Sequence, residues 1–373
     1  MALQDGFFDP KNQVIYNRLG ITNQDVLREA EGALSVPAML RIVTGQVPLP
    51  GNFDAAHIKQ IHRETFKDVY DWAGQTRANG PDGPFQGQKQ ATFRGKGDIM
   101  RYGPYQQLDQ RLDAIGAQLN LENNLRGLNP QQFAQRAAYY FDQYNHTHAF
   151  REGNGRTAQG IMAVLGRAAG YQVELSPAIS DRLNDVRDLA IVRPFGPEQP
   201  DKNLQALTLL LSTAITPLPG PEAAALRDPK QARPLSEPTH EMQKMEAQRV
   251  MQSSAFVTAY AIADIDRGNT ARGNTMLQQM NQVLLGDATA SQVGPPLQKA
   301  ALEVSQHPVL GKEMEARNNA VWLAKSVLKL VQLENTIPSQ RQQLQQKPAA
   351  PETKQKPAAP AQKPPAKRRG PKL

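Results

Sequence analysis

The sequence predicts a mostly α-helical protein made of two helical regions and a disordered tail. Between residues 55 and 72 the apolar residues recur at the spacing of one helix face. Residues 241–346 contain two long segments with the same amphipathic spacing, which is typical of three or four helices packed in a small bundle. The segment 216–238 contains six prolines and is therefore predicted to be a linker between the two regions.

The first region is expected to contain six helices, with a loop between the second and the third. The predicted helices cover residues 24–43, 55–72, 103–121, 130–145, 156–169 and 203–215. The fourth helix has the clearest start, because Asn129 can cap it and Pro130 occupies its first position. Residues 78–97 are rich in Gly, Pro and Gln and are expected to form the loop, and residues 90–99 can form a short hairpin.

Residues 148–156, His-Ala-Phe-Arg-Glu-Gly-Asn-Gly-Arg, are the most informative stretch for function. Gly153, Asn154 and Gly155 can turn with their backbone N–H groups pointing one way, as in an anion-binding nest. The helix predicted to follow would direct its positive end toward the anion. Arg156 adds a planar donor fork that suits phosphate oxygens. The stretch therefore predicts phosphate binding.

Two further side chains of this stretch can take part in the chemistry of a phosphate. Glu152 can supply an oxygen ligand to Mg²⁺, although an acid near a helix N-terminus can also be only a favourable charge. His148 has an unperturbed pKa of about 6.5 and can accept a proton near neutral pH, although a lone histidine is more often a loop or core residue. Asn154 can cap the turn and contact phosphate at the same time.

The stretch resembles the signature of the Fic family, His-Pro-Phe-x-(Asp/Glu)-Gly-Asn-Gly-Arg-x-x-Arg. The segments "YNRLGIT" at 16–22 and "FDAAHIKQIHRETFKDVYDWAGQTR" at 53–77 resemble the leading helices of the same domain, so the resemblance covers about residues 8–211. It implies a Fic-type helical domain with a short β-hairpin flap. It also implies Mg²⁺-dependent transfer of AMP from ATP to a Tyr, Thr or Ser hydroxyl of a target protein, with release of pyrophosphate.

The resemblance assigns a role to each site residue. His148 would be the general base, and Glu152 would hold Mg²⁺. The nucleotide would be bound by Gly153, Asn154, Gly155, Arg156 and Gln159. In Fic proteins the flap pairs with an extended segment of the target, and Phe93 and Ile99 are the candidates for clamping the target side chain.

Two positions depart from the signature, since Ala149 replaces the proline and Gln159 replaces the second arginine. In the family that arginine helps to hold the terminal phosphate, and Gln159 carries no charge. We therefore expect weaker or differently oriented ATP binding, or a changed mode of regulation. The alternatives are another donor, such as UTP, GTP or CDP-choline, and a catalytically weakened module that acts through protein interaction.

Self-inhibiting family members carry (Ser/Thr)-x-x-x-Glu-(Gly/Asn), and neither candidate in this chain fits. Glu31 is preceded at four residues by Leu27, and Glu334 is preceded by Leu330. The resemblance therefore implies that any inhibitor is a separate small protein.

Composition sets the remaining expectations. Residues 347–373 carry +7 of the net charge of +8, so a folded nucleic-acid-binding domain is not expected and such contacts are left to the basic tail. The tail is alternatively a solvated end or a secretion signal. The chain has no cysteine, which excludes disulfides and thiolate metal sites. No secretory signal or membrane span is evident, so a cytoplasmic location is expected.

The layout is therefore predicted as a Fic domain at 1–215, a linker at 216–238, a helical domain at 239–346 and a disordered Lys/Pro/Ala tail at 347–373. This arrangement resembles effectors and conjugation-linked toxins that carry a type IV secretion delivery domain. It implies translocation into a recipient or host cell, with the coupling machinery of that system as a partner.

Overall fold

The computed structural model describes residues 5–85, 88–90, 99–175 and 177–345. The chain up to Glu334 forms one compact unit, and the chain from Asn335 onward belongs to a second unit. None of the helices found within the described ranges is both long enough and apolar enough to cross a membrane.

Helices dominate the described residues, so the predicted mostly α fold is confirmed. They are α1 Gln24–Val43, α2 Ala55–Phe66, α3 Leu108–Leu121, α4 Pro130–Thr147, α5 Asn154–Ala168, α6 Pro177–Val192, α7 Pro200–Ser212, α8 Pro221–Leu226, α9 His240–Ile265, α10 Ala271–Leu285, α11 Ala290–Gln306 and α12 Met314–Gln345. Three antiparallel pairs of short strands accompany them. They are β1 Phe8–Asp9 with β2 Val14–Ile15, β3 Gln88–Gln90 with β4 Ile99–Arg101, and β5 Tyr171–Val173 with β6 Ile215–Pro217.

Helix α4 begins where the sequence predicts, because Asn129 forms a complete capping box. Its side chain accepts the N–H of Gln132 at 2.9 Å, and the Gln132 side chain accepts the N–H of Asn129 at 3.1 Å. Pro130 then occupies the first turn, where its missing N–H costs nothing. This start fixes the helix that carries His148 at its other end.

The first hydrophobic core lies among α2, α3, α4, α5 and α7. Its fully buried members include one residue from each of these helices, namely Ile61, Ile115, Phe141, Leu165 and Leu207. Burial of each such side chain contributes about 1.5–3 kcal/mol. Helices α4 and α5 both pack into this core, so the loop that joins them is held from both sides.

The second hydrophobic core lies among α9, α10, α11 and α12, which is the small helical bundle expected after the proline-rich segment. Met251, Met280, Leu297 and Leu323 are fully buried in it. Helix α9 also contributes to the first core through Met242 and Met245 near its start.

Three predicted helices end or begin differently in the structure. Helix α2 stops at Phe66 rather than at residue 72, because the chain turns and the N–H groups of Val69 and Tyr70 both donate to the Phe66 carbonyl. Helix α3 starts at Leu108, after a single 3₁₀ turn. Helix α7 ends at Ser212, and Ile215 instead pairs with Val173 in a strand. Helix α6 is not predicted from the sequence at all.

The predicted linker 216–238 has local structure of its own. It contains the end of β6, helix α8 and one 3₁₀ turn, and the carbonyl of Leu226 accepts the N–H of Gly127 at 2.9 Å. Residues on both sides of it belong to the same compact unit. The division of the chain into separate domains stays a prediction.

Candidate active site

His148 directly follows α4 as its C-cap residue and has a left-handed backbone, with φ 47° and ψ 58°. A positive φ is uncommon in a residue other than glycine, so surrounding contacts must hold it. Its N–H donates to the carbonyl of Tyr144 at 3.0 Å, and its carbonyl accepts from Nε of Arg77 at 2.7 Å. The turn brings the imidazole out of the helix and places it beside the loop.

The ring of His148 stacks face to face on the ring of Tyr102, with the ring centroids 3.6 Å apart and the planes 4° apart. Tyr102 directly follows β4, and the next residue, Gly103, donates its N–H to the carbonyl of His146 at 2.9 Å. The base of the hairpin is therefore attached to the end of α4. This contact fixes the orientation of the imidazole.

The loop between α4 and α5 is closed by the side chain of Asn154. Its Oδ1 accepts the N–H of Phe150 at 3.0 Å, and its Nδ2 donates to the carbonyl of Phe150 at 2.7 Å. Of the two roles considered for Asn154, the turn-forming one is therefore the one that the structure shows directly. Its backbone N–H belongs to the first turn of α5.

Gly153 directly precedes α5 as its N-cap residue, with φ 78°, and no other residue type fits there. A Cβ atom at this position would lie 2.2 Å from the ring of Phe66. Because glycine has no side chain that could cap the helix, the first N–H groups of α5 stay available to an anion. The structure thus shows a tight turn with an uncapped helix start, and phosphate binding there stays a prediction.

His62 supports the same loop from below. Its Nδ1 accepts the N–H of Gly74 at 2.8 Å, so the ring proton lies on Nε2, which donates to the carbonyl of Glu152 at 3.2 Å. The ring also stacks on Phe150 at 3.8 Å. Complete burial lowers the pKa of His62 to about 3, and the ring is therefore neutral at physiological pH.

Glu152 projects from the loop with its side chain 41% exposed. Partial burial raises the pKa of this carboxyl. The positive charge of Arg151, whose Nη1 lies 3.6 Å from Oε2 of Glu152, opposes that rise. The described residues contain no cluster of three or more His, Cys, Asp or Glu that could form a metal cage. A single accessible carboxylate nevertheless fits Mg²⁺, which commonly takes one or two carboxylates together with substrate phosphates.

Arg156 lies on the first turn of α5 and is held by α1. Its guanidinium donates to Oγ of Ser35 at 2.6 Å and to the carboxylate of Glu31, and it lies 4.8 Å above the ring of Phe66. Glu31 also accepts the hydroxyl of Tyr70. These contacts use part of the five-donor fork and place one negative charge directly against it.

Arg77 is fully buried and connects the segments that surround the site. Besides the His148 carbonyl, its side chain donates to the carbonyls of Phe85 and Gly103, and its N–H donates to the carbonyl of Ala149 at 2.8 Å. Burial lowers the pKa of Arg77 to about 9. Arg77 is therefore a positioning residue for the loop and for the base of the hairpin.

The structure brings together His148, Glu152, Gly153, Asn154, Gly155 and Arg156 in one loop and helix start, with Gln159 one turn further along α5. For the two flap candidates the structure describes no side-chain position. Phe93 lies outside the described residues, and Ile99 is described only by its backbone, which pairs with Gln90.

The site also contains residues that the sequence analysis did not assign to it. His62 and Arg77 lie within the segment 53–77 that carries the family resemblance, so a signal for them existed. Tyr102, Glu31 and Arg187 come from elements far from the motif, and only the fold brings them to it.

Comparisons with known proteins identify relatives of this chain. The sequence profile of the Fic/DOC family matches residues 52–165. Protein adenylyltransferase VbhT of Bartonella schoenbuchensis is 36% identical over 170 residues, which are 46% of this chain and 32% of that protein. A protein adenylyltransferase of Bartonella henselae is 31% identical over 47% of this chain and 32% of its own length. The chain thus spans about a third of the length of these two relatives.

A crystal structure of the VirB-translocated effector BepC of Bartonella tribocorum, with bound AMPPNP, is 27% identical, with a TM-score of 0.47 and coverage of 59% of this chain and 100% of that one. The probable protein adenylyltransferase y4lH of Sinorhizobium fredii is 31% identical over 196 residues, which are 52% of this chain and 90% of that protein. With nine tenths of that relative aligned at 31% identity, and with the family profile matching the segment that contains the motif, this chain belongs to the Fic/DOC family.

Proposed function

We propose that this protein transfers AMP from ATP to a hydroxyl side chain of a target protein. The observation that carries the proposal is the position of His148, which is fixed beside the uncapped start of α5 by Tyr102 and Arg77. A proton acceptor next to a phosphate-binding helix end is the arrangement that phosphoryl and nucleotidyl transfer require. The protein adenylyltransferases among its relatives support the choice of AMP.

In the proposed reaction the hydroxyl oxygen of a target Tyr, Thr or Ser attacks the α-phosphorus of ATP. A bond forms between that oxygen and the phosphorus, and the hydroxyl proton passes to the imidazole of His148. The bond between the α-phosphorus and the bridging oxygen breaks, and pyrophosphate leaves in line with the attack. The protein contributes mainly position and charge, since the nucleotide carries its own leaving group.

The nucleotide would be held at the start of α5. The backbone N–H groups of Gly153, Asn154 and Gly155 would bind phosphate oxygens, and Arg156 would add the donors that Glu31 and Ser35 leave available. Gln159 would contribute an uncharged amide. Glu152 would hold Mg²⁺ together with phosphate oxygens, and the ion would supply positive charge and orientation to the phosphate chain.

The target would dock on the hairpin formed by β3 and β4, with Phe93 and Ile99 clamping its side chain. Strand β4 leads directly into Tyr102, so a segment paired with the hairpin would run close to His148. The edge of a two-stranded hairpin offers unpaired backbone groups to an extended peptide.

For the rest of the chain we keep the sequence predictions as proposals. Residues 239–346 would serve delivery or interaction, with the type IV secretion machinery as the partner and translocation as the outcome. The basic tail would act as the signal or as a nucleic-acid contact. A separate small protein would inhibit the site, although the carboxylate of Glu31 already contacts Arg156 from within the chain.

The test uses purified protein, Mg²⁺ and a cell lysate with ATP labelled on either the α- or the γ-phosphate. AMP transfer predicts label on protein from α-labelled ATP that His148→Ala abolishes, and no such His148-dependent label from γ-labelled ATP above the label that lysate kinases add. Excess unlabelled ATP should suppress the His148-dependent signal more than UTP, GTP or CDP-choline. Label from the γ-phosphate that His148→Ala abolishes would show phosphate transfer instead, and stronger suppression by another nucleotide would identify that nucleotide as the donor.

A further inference from the structure

Helix α6 brings a guanidinium to the phosphate-binding loop from a part of the chain outside the motif. A Cβ atom built on Gly155 would lie 3.2 Å from Nη1 of Arg187, so this nitrogen lies directly against the loop. The side chain of Arg187 is only 14% exposed, and its Nε lies 3.5 Å from Oδ1 of Asp188. The Nε edge thus faces Asp188, while the Nη1 end faces the start of α5.

Arg187 also lies near the proposed general base. Burial raises the pKa of the Tyr102 hydroxyl, and the positive charge of Arg187 is the largest influence that opposes the rise. Tyr102 is the residue on which the His148 ring stacks. The guanidinium therefore lies against the helix start at Gly155 and close enough to Tyr102 for its charge to act on that hydroxyl.

The other cations at this loop are less available to an anion. Arg156 is paired with the carboxylate of Glu31, and Arg151 forms an ion pair with Asp5 at 2.8 Å. Gln159, four residues after Gly155 and hence on the same face of α5, carries no charge. A phosphate chain at this helix end would therefore gain from an additional positive charge supplied by another element.

We infer that Arg187 binds the phosphate chain of the nucleotide and supplies the positive charge that position 159 does not provide. The inference rests on the proposed function, because it assumes that a nucleotide binds at the start of α5. Arginine suits the role because its planar fork can contact two phosphate oxygens at once.

The experiment measures the dissociation constant of ATP, with Mg²⁺, for the full chain by calorimetry. Arg187→Gln should weaken binding about 10- to 100-fold, as expected for the loss of a charged hydrogen-bond donor. Arg187→Lys should retain part of the affinity. Arg182→Gln is the matched control, since Arg182 lies on the same helix, is exposed and undergoes the same charge change. It should bind like the wild type.

A second pair of variants separates charge from packing. Gln159→Arg should restore much of the affinity in the Arg187→Gln background, because it returns a cation to the same face of α5 without restoring the packing of Arg187. Arg187→Met, which keeps an apolar stem, replaces Arg187→Gln if thermal melting shows that the latter is unfolded.

Affinity within twofold of the wild type in Arg187→Gln or Arg187→Met would overturn the inference and leave the proposed function intact. Failure of Gln159→Arg to restore any affinity would also overturn it, because the loss would then reflect structure rather than charge. A wild-type chain that binds no nucleotide would remove the proposed function, and the inference with it.

Discussion

At the scale of single residues, the site depends on buried polar groups whose protonation is fixed by the fold. His62 is the clearest case, because one ring nitrogen accepts the N–H of Gly74 while the other donates to the carbonyl of Glu152. Only the neutral ring with its proton on Nε2 can do both. Burial enforces that form by lowering the pKa of His62 to about 3.

This lowered pKa predicts a pH dependence of stability. Below an unfolded-state pKa of about 6.5 the unfolded chain binds a proton that the folded chain refuses, so the free energy of unfolding should fall as the pH drops from 6.5 toward 3. The contribution of His62 is about 1.4 kcal/mol per pH unit in that window. Urea unfolding at several pH values measures this dependence. As the pH drops from 6.5 toward 3, the free energy of unfolding should fall more steeply for the wild type than for His62→Gln.

His57 and His146 are also buried, and their pKa values are also lowered. Both residues are present in the wild type and in His62→Gln, so the difference in pH dependence between these two proteins reports on His62. The same dependence of the unfolding free energy on pH in the wild type and in His62→Gln would contradict the assigned neutral state of this ring.

At the scale of elements, the turn from α4 into α5 is the unit that forms the site. At both ends of this turn the backbone has the left-handed conformation, with positive φ angles at His148 and Gly153. Between them, Asn154 closes the loop through two hydrogen bonds to Phe150. The geometry of the proposed anion site is thus a property of the turn rather than of any single side chain.

Gly153→Ala should disrupt this turn. The added Cβ would lie 2.2 Å from the ring of Phe66, and the left-handed backbone costs a non-glycine residue about 1–2 kcal/mol. We expect a lower melting temperature and loss of AMP transfer. Gly32→Ala on α1 is the matched control, since a Cβ there meets nothing within 4 Å and alanine favours a helix. A Gly153→Ala protein as stable as the wild type would contradict the described turn.

The sequence predicts the turn from α4 into α5 well, but it predicts poorly the elements that surround this turn. The motif order His148 to Arg156 is enough to infer a helix end, a tight glycine turn and a following helix. Helix α6 is missed because its residues show little amphipathic contrast, and its contribution of Arg187 is a tertiary contact between residues 32 positions apart in the chain. The sequence also does not reveal that α2 ends at Phe66. Val69 and Tyr70 continue the helical spacing of apolar residues, although in the structure they lie in the turn that follows the helix.

At the scale of the whole molecule, a buried ion cluster joins the first core to helix α9. Asp142 on α4 accepts from Arg193 at 2.8 Å and from two nitrogens of Arg249 at 2.8 and 2.9 Å. Despite the cost of burial, these two arginines lower the pKa of Asp142 to about 2. Asp142 lies six residues before His148 on the same helix, so the bundle is attached to the element that carries the proposed base.

Asp142→Asn should therefore destabilise the protein strongly, because it leaves two buried arginines without their shared counter-charge. Removal of one partner from a buried ion pair costs about 3–5 kcal/mol. Chemical unfolding at neutral pH measures the effect, with Asp287→Asn at an exposed position after α10 as the control. A loss smaller than about 1 kcal/mol, typical of an exposed pair, would contradict a role for this cluster in joining the two cores.

The central claim is that His148 accepts the proton in AMP transfer, and one assay tests it most directly. Wild-type protein, His148→Ala and His240→Ala are each incubated with Mg²⁺, α-labelled ATP and lysate. We predict label on protein with the wild type and His240→Ala, and a rate reduced about 10²- to 10⁴-fold with His148→Ala. Equal labelling by His148→Ala and the wild type would contradict the claim.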